Sequence, residues 1–174
     1  MAYGDKPFGL RDVKLTNLAG TTQVDLPYAT RLMFRERITS GELRGDDAVQ
    51  SVVAISDAIE WELEAGGISL EAYALMTGRT ATETGTTPNQ KNTLDGDSAQ
   101  DFPYFKIYGK SAGDLSTDDI HVKISKAKVT SPIEGEFTDA GFFITKCGGV
   151  AIQPDTGNMF EIVQNETGTT LPTS

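Results

Sequence analysis

The chain is poor in the residues on which most enzyme chemistry depends. Of its 174 residues one is a cysteine, Cys147, and one a histidine, His121. A single cysteine excludes an intramolecular disulfide, so nothing ties the chain to an oxidising compartment. A Cys–His nucleophile or a His-based metal centre would need both residues at one point with an orienting third group. His121 falls in an alternating stretch and is expected on a solvated or interface face; Cys147 reads as a small packed residue. Basic side chains are also scarce, fifteen against twenty-five acidic ones, for a formal net charge of −10. Binding the outside of nucleic acid or an anionic membrane is thereby disfavoured, because it needs clustered Lys and Arg to displace counterions. An acidic surface suits a different task near DNA, letting it slide past without adhering. Long apolar runs are missing too. The N-terminus, MAYGDKPFGLRD, has no stretch of signal-peptide length, and nowhere are there about 18 consecutive apolar residues. The expectation is a soluble product made without export.

What the sequence has in quantity is glycine, threonine and alternation. Hydrophobic residues are 38%, below the globular norm, and this balance leans toward a β-rich fold with many turns. The length suits one domain with a real core. Its organising stretch is a predicted hairpin over residues 28–67. Leu32, Phe34 and Ile38 point one way in the first strand, and Arg31, Met33, Arg35 and Arg37 the other. In the second strand Val49, Val53, Ile55, Ile59, Trp61 and Leu63 share a face, with Gln50, Ser56, Glu60, Glu62 and Glu64 opposite. The tip is placed at Ser40, Gly41, Glu42, Leu43, Arg44, Gly45, Asp46 and Asp47, a polar segment rich in turn formers. Strands of about a dozen residues exceed the usual 5–6, and an unpaired two-stranded ribbon is marginal in water. Its far end is therefore expected to find partners in other chains.

Residues 1–9 read as an arm broken by Gly4, Pro7 and Gly9, and Leu10 to Leu18 as a first strand. Ala19 to Leu26 is a turn or short strand. One helix is predicted over 69–78, with Ser69 as N-cap, Glu71 in the first turn and Gly78 as the left-handed terminator. Ile68 and Tyr73 fit a hydrophobic staple, and Leu70, Tyr73, Ala74 and Met76 an apolar stripe. Residues 79–101 are polar, with a hairpin expected for Thr80–Thr86 against Asn92–Ser98, turning at Pro88-Asn89. Strands follow at 102–109, 119–130, 141–152 and 159–166, and residues 168–174 form a loose tail. The domain, residues 10–167, is thus expected to be mainly β: a β-sandwich or partly open barrel with a long protruding hairpin and one short flanking helix.

Candidate chemistry is thin. Adjacent aspartates such as Asp46-Asp47 hold Mg²⁺ in polymerases, but only with further carboxylates and a basic channel; a polar turn is the simpler reading. Gly41–Gly45 lacks the Lys-Ser/Thr of a phosphate loop, and Asp95-Gly-Asp97 and Asp118-Asp119 lack the spaced ligands of a calcium loop. Glu60, Glu62 and Glu64 would need a facing carboxylate and an aromatic groove to act as a glycosidase, so they read as a solvated strand face. The Asn165-Glu-Thr167 sequon has no meaning without export. No catalytic residue, metal ligand or cofactor site is assigned.

The order of segments carries a resemblance. The stretch SGELRGDDAVQSVVAISDAIEWELEAGGISLEAYALMTG, then TGTTPNQ, FPYFKIYGKS, DIHVKISKAKVTSPIEGEF, FFITKCGGVAI and MFEIVQNE, resembles the major tail tube proteins of long-tailed, non-contractile (siphovirus-type) bacteriophages over residues 10–167. The resemblance implies six copies closing into a ring and rings stacking into a hollow tube, whose channel passes genomic DNA and the tape-measure protein. It implies a virion component made in the host cytoplasm, with tail terminator and distal tail proteins as further partners and no membrane. On this reading the tip Ser40–Asp47 contacts neighbouring rings, Gln50, Ser56, Glu60 and Glu62 are candidates to face the lumen, and Thr86, Pro88, Asn89 and Asn92 belong to an assembly loop. Arg31, Arg35, Arg37 and Arg44 are expected to pair with carboxylates on neighbouring strands or subunits. A contractile-type or secretion-system tube would share this logic. Two rival readings are a β-sandwich binding or decoration module using Tyr104, Phe105 and Tyr108 as an aromatic platform, and an acidic hydrolase.

Overall fold

The structure is a computed structural model that describes residues 7–46, 48–67, 69–98, 100–113, 118–137, 139 and 144–172. Eleven strands and one helix lie among the described residues: β1 (Pro7–Asn17), β2 (Gln23–Asp25), β3 (Ala29–Gly45), β4 (Ala48–Gly66), α1 (Leu70–Thr77), β5 (Ala81–Thr84), β6 (Lys91–Leu94), β7 (Phe105–Gly113), β8 (Asp119–Val129), β9 (Glu134–Glu136), β10 (Ile144–Ala151) and β11 (Phe160–Asn165). The main sheet is antiparallel, in the order β2-β1-β7-β8-β10-β4-β3, with β11 on β8 and β9 on β10. The fold is mainly β, as expected.

β8 is where the sheet divides. One edge pairs with β7; the other is shared, Asp119–Ile124 with β11 and Ala127–Val129 with β10. The sheet then folds over on itself. β3 and β7 lie four positions apart, roughly 19 Å if the sheet were flat. Yet a Cβ at position 109 would sit 2.5 Å from Leu32 Cδ2, so β3 and β7 face each other closely here and a side chain at 109 would displace the end of Leu32. Across the same gap the Phe34 and Phe160 rings lie 6.4 Å apart, and Trp61 meets Phe105 edge-on at 5.7 Å. The layers enclose one apolar core from Val13, Leu15, Ile59, Trp61, Leu63, Phe105, Ile107, Ile124 and Val129. Period-2 alternation in each strand delivers these side chains to one face.

The helix closes one end of that core. Ser69 Oγ accepts from the Ala72 N–H, and Gly78 ends the helix at φ 72° with its N–H bonded to the Ala74 carbonyl. The helix buries Ala72, Met76 and Thr77, whereas Leu70, Tyr73 and Ala74 of the predicted stripe are only half-buried. The proposed staple partner Ile68 lies outside the described residues.

Three boundaries differ from expectation. The first strand begins at Pro7, because Gly9, at φ +75°, accommodates a bulge in the β1–β7 ladder instead of breaking it. Residues 1–6 of the expected arm lie outside the described residues. Segment 79–101 does hold a hairpin, shorter than expected, with Ala81 opposite Leu94 and Thr84 opposite Lys91. The C-terminal tail is not loose as far as it is described: Leu171 is buried and the Thr169 N–H donates to Asp119.

Candidate functional site

β3 and β4 form the longest paired element, and among the described residues its distal half has no further strand beside it. β4 pairs with β10 only over Ile59–Gly66, and β3 is the last strand of the sheet. Among the described residues Ala48–Ala58 therefore has β3 as its single neighbour in the sheet. These eleven residues project roughly 35 Å at about 3.4 Å per residue.

The expected eight-residue tip is mostly strand. Ser40 to Gly45 stay in β3, Ser40 opposite Ala54, Glu42 opposite Val52 and Leu43 opposite Ser51. The turn itself lies between Gly45 and Ala48, with Asp46 at φ 51°; Asp47 lies outside the described residues. Gly41 and the polar residues around it favour a turn locally, but the ladder to a Val-rich partner strand outweighs that preference. Gln50 ties the turn, its amide donating to the Gly45 carbonyl at 3.2 Å.

The faces also differ from strict alternation. Arg37 lies opposite Ala58 and Ile38 opposite Ser56, so Asp57 is an extra residue on β4. A second register shift between Leu43 and Arg44 leaves Gln50 without an opposite residue. Opposite residues share a face. Glu60 and Glu62 stand with Arg35 and Met33, whereas Ser56 stands with Ile38 on the side of Leu32 and Phe34. The expected common face for Gln50, Ser56, Glu60 and Glu62 does not exist, because the Asp57 bulge reverses the phase of the strand. The apolar residues redistribute accordingly. Ile38 and Val52 fall on one side, and Leu43, Val53 and Ile55 on the other, all between 56% and 66% exposed. The distal ribbon thus carries exposed apolar side chains on both faces, among Ser40, Glu42 and Ser56 on one and Thr39 and Ser51 on the other.

Nearer the body the charged face is balanced, not acidic. Arg31 reaches Glu62 at 3.2 Å and Glu64 at 3.4 Å, Arg35 Nε donates to Glu60 at 2.6 Å, and Lys146 lies 3.6 Å from Glu64. Arg37 clasps the bulged Asp57 with two donors at 2.9 Å each. That hydrogen-bonded fork holds the Asp57 carboxyl below its ordinary range and raises Arg37 in return. Arg44 meets Glu42 at 3.4 Å within its own strand. Arg31, Arg35 and Arg37 find carboxylates on the neighbouring strand β4, as anticipated, whereas Arg44 pairs within β3.

Thr86, Pro88, Asn89 and Asn92 lie elsewhere, on the β5–β6 hairpin that packs on α1 and forms a separate two-stranded sheet. The Asn89 N–H donates to the Thr86 carbonyl at 2.7 Å, and all four side chains are exposed. The structure does not bring them into the ribbon's sheet. Of the aromatic platform, Phe105 and Tyr108 are buried, and Tyr104 is half-buried with the Lys126 and Lys128 ammonium groups 5.4 and 5.1 Å from its ring centre. No flat aromatic surface is formed by these three. Among the described residues no group of three or more His, Cys, Asp or Glu is placed to hold a metal ion. His121, expected on a solvated or interface face, is buried beside Asp119.

No protein-family model matches the chain, and no curated protein matches it. Among solved structures the chain is similar to one described as the cryo-EM structure of the anti-feeding prophage (AFP) baseplate, 6-fold symmetrised, at 11% identity and a TM-score of 0.46, over 94% of this chain and 97% of that one. A likeness this weak fixes neither family nor role.

Proposed function

We propose that the protein is a non-catalytic structural subunit that polymerises with copies of itself into a hollow tube of the phage-tail type. In this reading six subunits close a ring, rings stack, and the tube conducts DNA and a tape-measure protein, capped by terminator and distal tail proteins. The observation that carries it is the projecting β3–β4 ribbon, which beyond Ala58 has no further strand beside it among the described residues and carries exposed apolar side chains on both faces. Such a ribbon is costly for a monomer and is satisfied by insertion between neighbours. Head-to-tail contacts between identical copies either close a ring or run on as a filament, and a tube of stacked rings uses both. The order of sequence segments supports the same assignment.

The charge distribution fits a conduit. Six copies at −10 each carry about −60 per ring, which opposes adhesion of a phosphate backbone. The Arg31–Arg37 and Glu60–Glu64 grid is internally neutralised, so it offers DNA no run of free cations. Negative-stain microscopy of concentrated protein tests the reading: tubes or six-fold rings are expected. Deleting Gly41–Asp47 shortens the ribbon and should leave a folded monomer that no longer polymerises. Tubes unchanged by the deletion would reject the ribbon's role.

A further inference from the structure

The reverse face of the β7–β8–β11 leaf carries a second, smaller buried cluster whose centre is a carboxylate. Tyr108 alternates with the core residue Ile107 and so points away from the core, yet it is only 2% exposed. Leu171 is 1% exposed, and neither residue belongs to the main core. Thr169, Thr170 and Pro172 border the same cleft, of about 380 Å³, as Tyr108, His121, Lys123 and Glu161. The C-terminal segment therefore lies across this face as a strap.

One side chain collects the polar bonds that hold it. Asp119, its side chain 1% exposed, accepts the Thr169 N–H on Oδ2 at 2.6 Å and the Asn165 amide on Oδ1 at 2.6 Å. Lys110 lies 2.9 Å from Oδ2 and also donates to the Thr169 carbonyl. The same Asn165 amide reaches Thr169 Oγ1 at 3.1 Å. The cluster thus joins β7, β8, β11 and the strap. His121 Nε2 stands 3.1 Å from Oδ2 in ion-pair range but outside hydrogen-bond geometry. Asp12 on β1 stands opposite Lys110 in register, Asp118 adjoins Asp119 in the chain, and Lys123 stands opposite Glu161 further along the cleft.

We propose that residues 168–172 are a releasable strap with Asp119 as its catch, opening as a unit when that carboxylate is neutralised while the rest of the sheet stays folded. A neutral side chain at 119 no longer balances the Lys110 ammonium and holds the Thr169 N–H less strongly, since hydrogen bonds to charged groups are the stronger ones. Leu171 is then left as the strap's buried anchor. Opening uncovers Tyr108 and His121 and joins their cleft to the surface beneath the strap. Segments held by so few contacts open locally well below the free energy of global unfolding.

Amide hydrogen exchange of the full chain at neutral pH tests it. Asp119→Asn is expected to speed exchange in residues 166–172 at least about tenfold, with β4 and β10 amides changed by less than about twofold. Leu171→Ala, which leaves the carboxylate in place, should give the same local pattern. Protection lost across β4 and β10 together with the strap, or failure of either variant to fold, would overturn the proposal, because the strap would then not be separable. Unchanged exchange in Asp119→Asn would overturn it too, since the carboxylate would not be the catch.

Discussion

Replacing Val53 and Ile55 together by aspartate separates the ribbon's proposed role from the stability of the subunit. Both side chains lie on one distal face, opposite Gly41 and Thr39, and are 56% and 61% exposed. Complete burial of a Val or Ile is worth about 1.5–3 kcal/mol, so the part still exposed can contribute about 1–1.5 kcal/mol each at an interface. Losing both removes about 2.5 kcal/mol per contact, roughly a hundredfold in the concentration needed to polymerise. Carboxylates carried into an apolar contact add further cost. The monomer should hardly notice, because exposed substitutions stay within about 0.5 kcal/mol, or about 2 °C in Tm at this size. The assay is pelleting and negative-stain microscopy over a concentration series, beside thermal unfolding followed by circular dichroism. Polymerisation at the wild-type concentration would refute the reasoning. So would a large fall in Tm, which would mean these side chains pack within the subunit.

Three further outcomes are expected. In Gly149→Ala the new methyl would lie 1.9 Å from the Lys128 carbonyl oxygen, at the seam where β10 meets β8, so unfolding studies should show a loss of at least about 3 kcal/mol or no folded protein. Burial alone would raise the Asp119 carboxyl, but hydrogen bonds from Asn165, Lys110 and the Thr169 N–H, with His121 alongside, bring it from 3.8 down to about 2. A depressed folded value gives stability that is full above about pH 4 and is lost as pH falls through about 2. The shift corresponds to about 2 kcal/mol, and denaturant titrations should show Asp119→Asn lacking this pH dependence. Phe105→Ala should cost about 3–5 kcal/mol and move the emission of Trp61, the single tryptophan, to longer wavelength, because the two rings meet at 5.7 Å in the core.

Much of this architecture is written in periods and caps. The alternation of Ile120, Val122 and Ile124 marked β8 to within one residue of its ends, and Ser69 and Gly78 marked both ends of the helix. Those signals are local, and local signals survive folding when tertiary packing agrees with them. The ribbon was legible as two strands for the same reason, and the expected cross-strand pairs of Arg31, Arg35 and Arg37 formed, while Arg44 turned to Glu42 of its own strand. Its faces were not legible. Nothing in AISDAIE announces that Asp57 is an extra residue; the Arg37 fork that holds it comes from twenty positions earlier. The tip was misread because Gly41 and Asp46 look alike as turn formers until the partner strand claims one of them. The strap was missed because its catch, Asp119, lies fifty residues from Thr169 in sequence. Contacts of that range leave no periodic trace.

The ribbon is also the longest stretch of the main sheet that can pair from a tight turn outward. Its partners start at Gly45 and Ala48, whereas β1 must find β7 about ninety residues away to bring Leu15 opposite Ile107. Hairpins zip in microseconds, and sheets that join distant segments close far more slowly. We therefore predict that a newly made chain displays its adhesive hairpin before the body beneath it exists, and that crowded synthesis favours premature association over orderly growth. Refolding yield should then fall with protein concentration in the full chain and recover when Gly41–Asp47 is removed; equal yields in both would mean that closure of the body comes first.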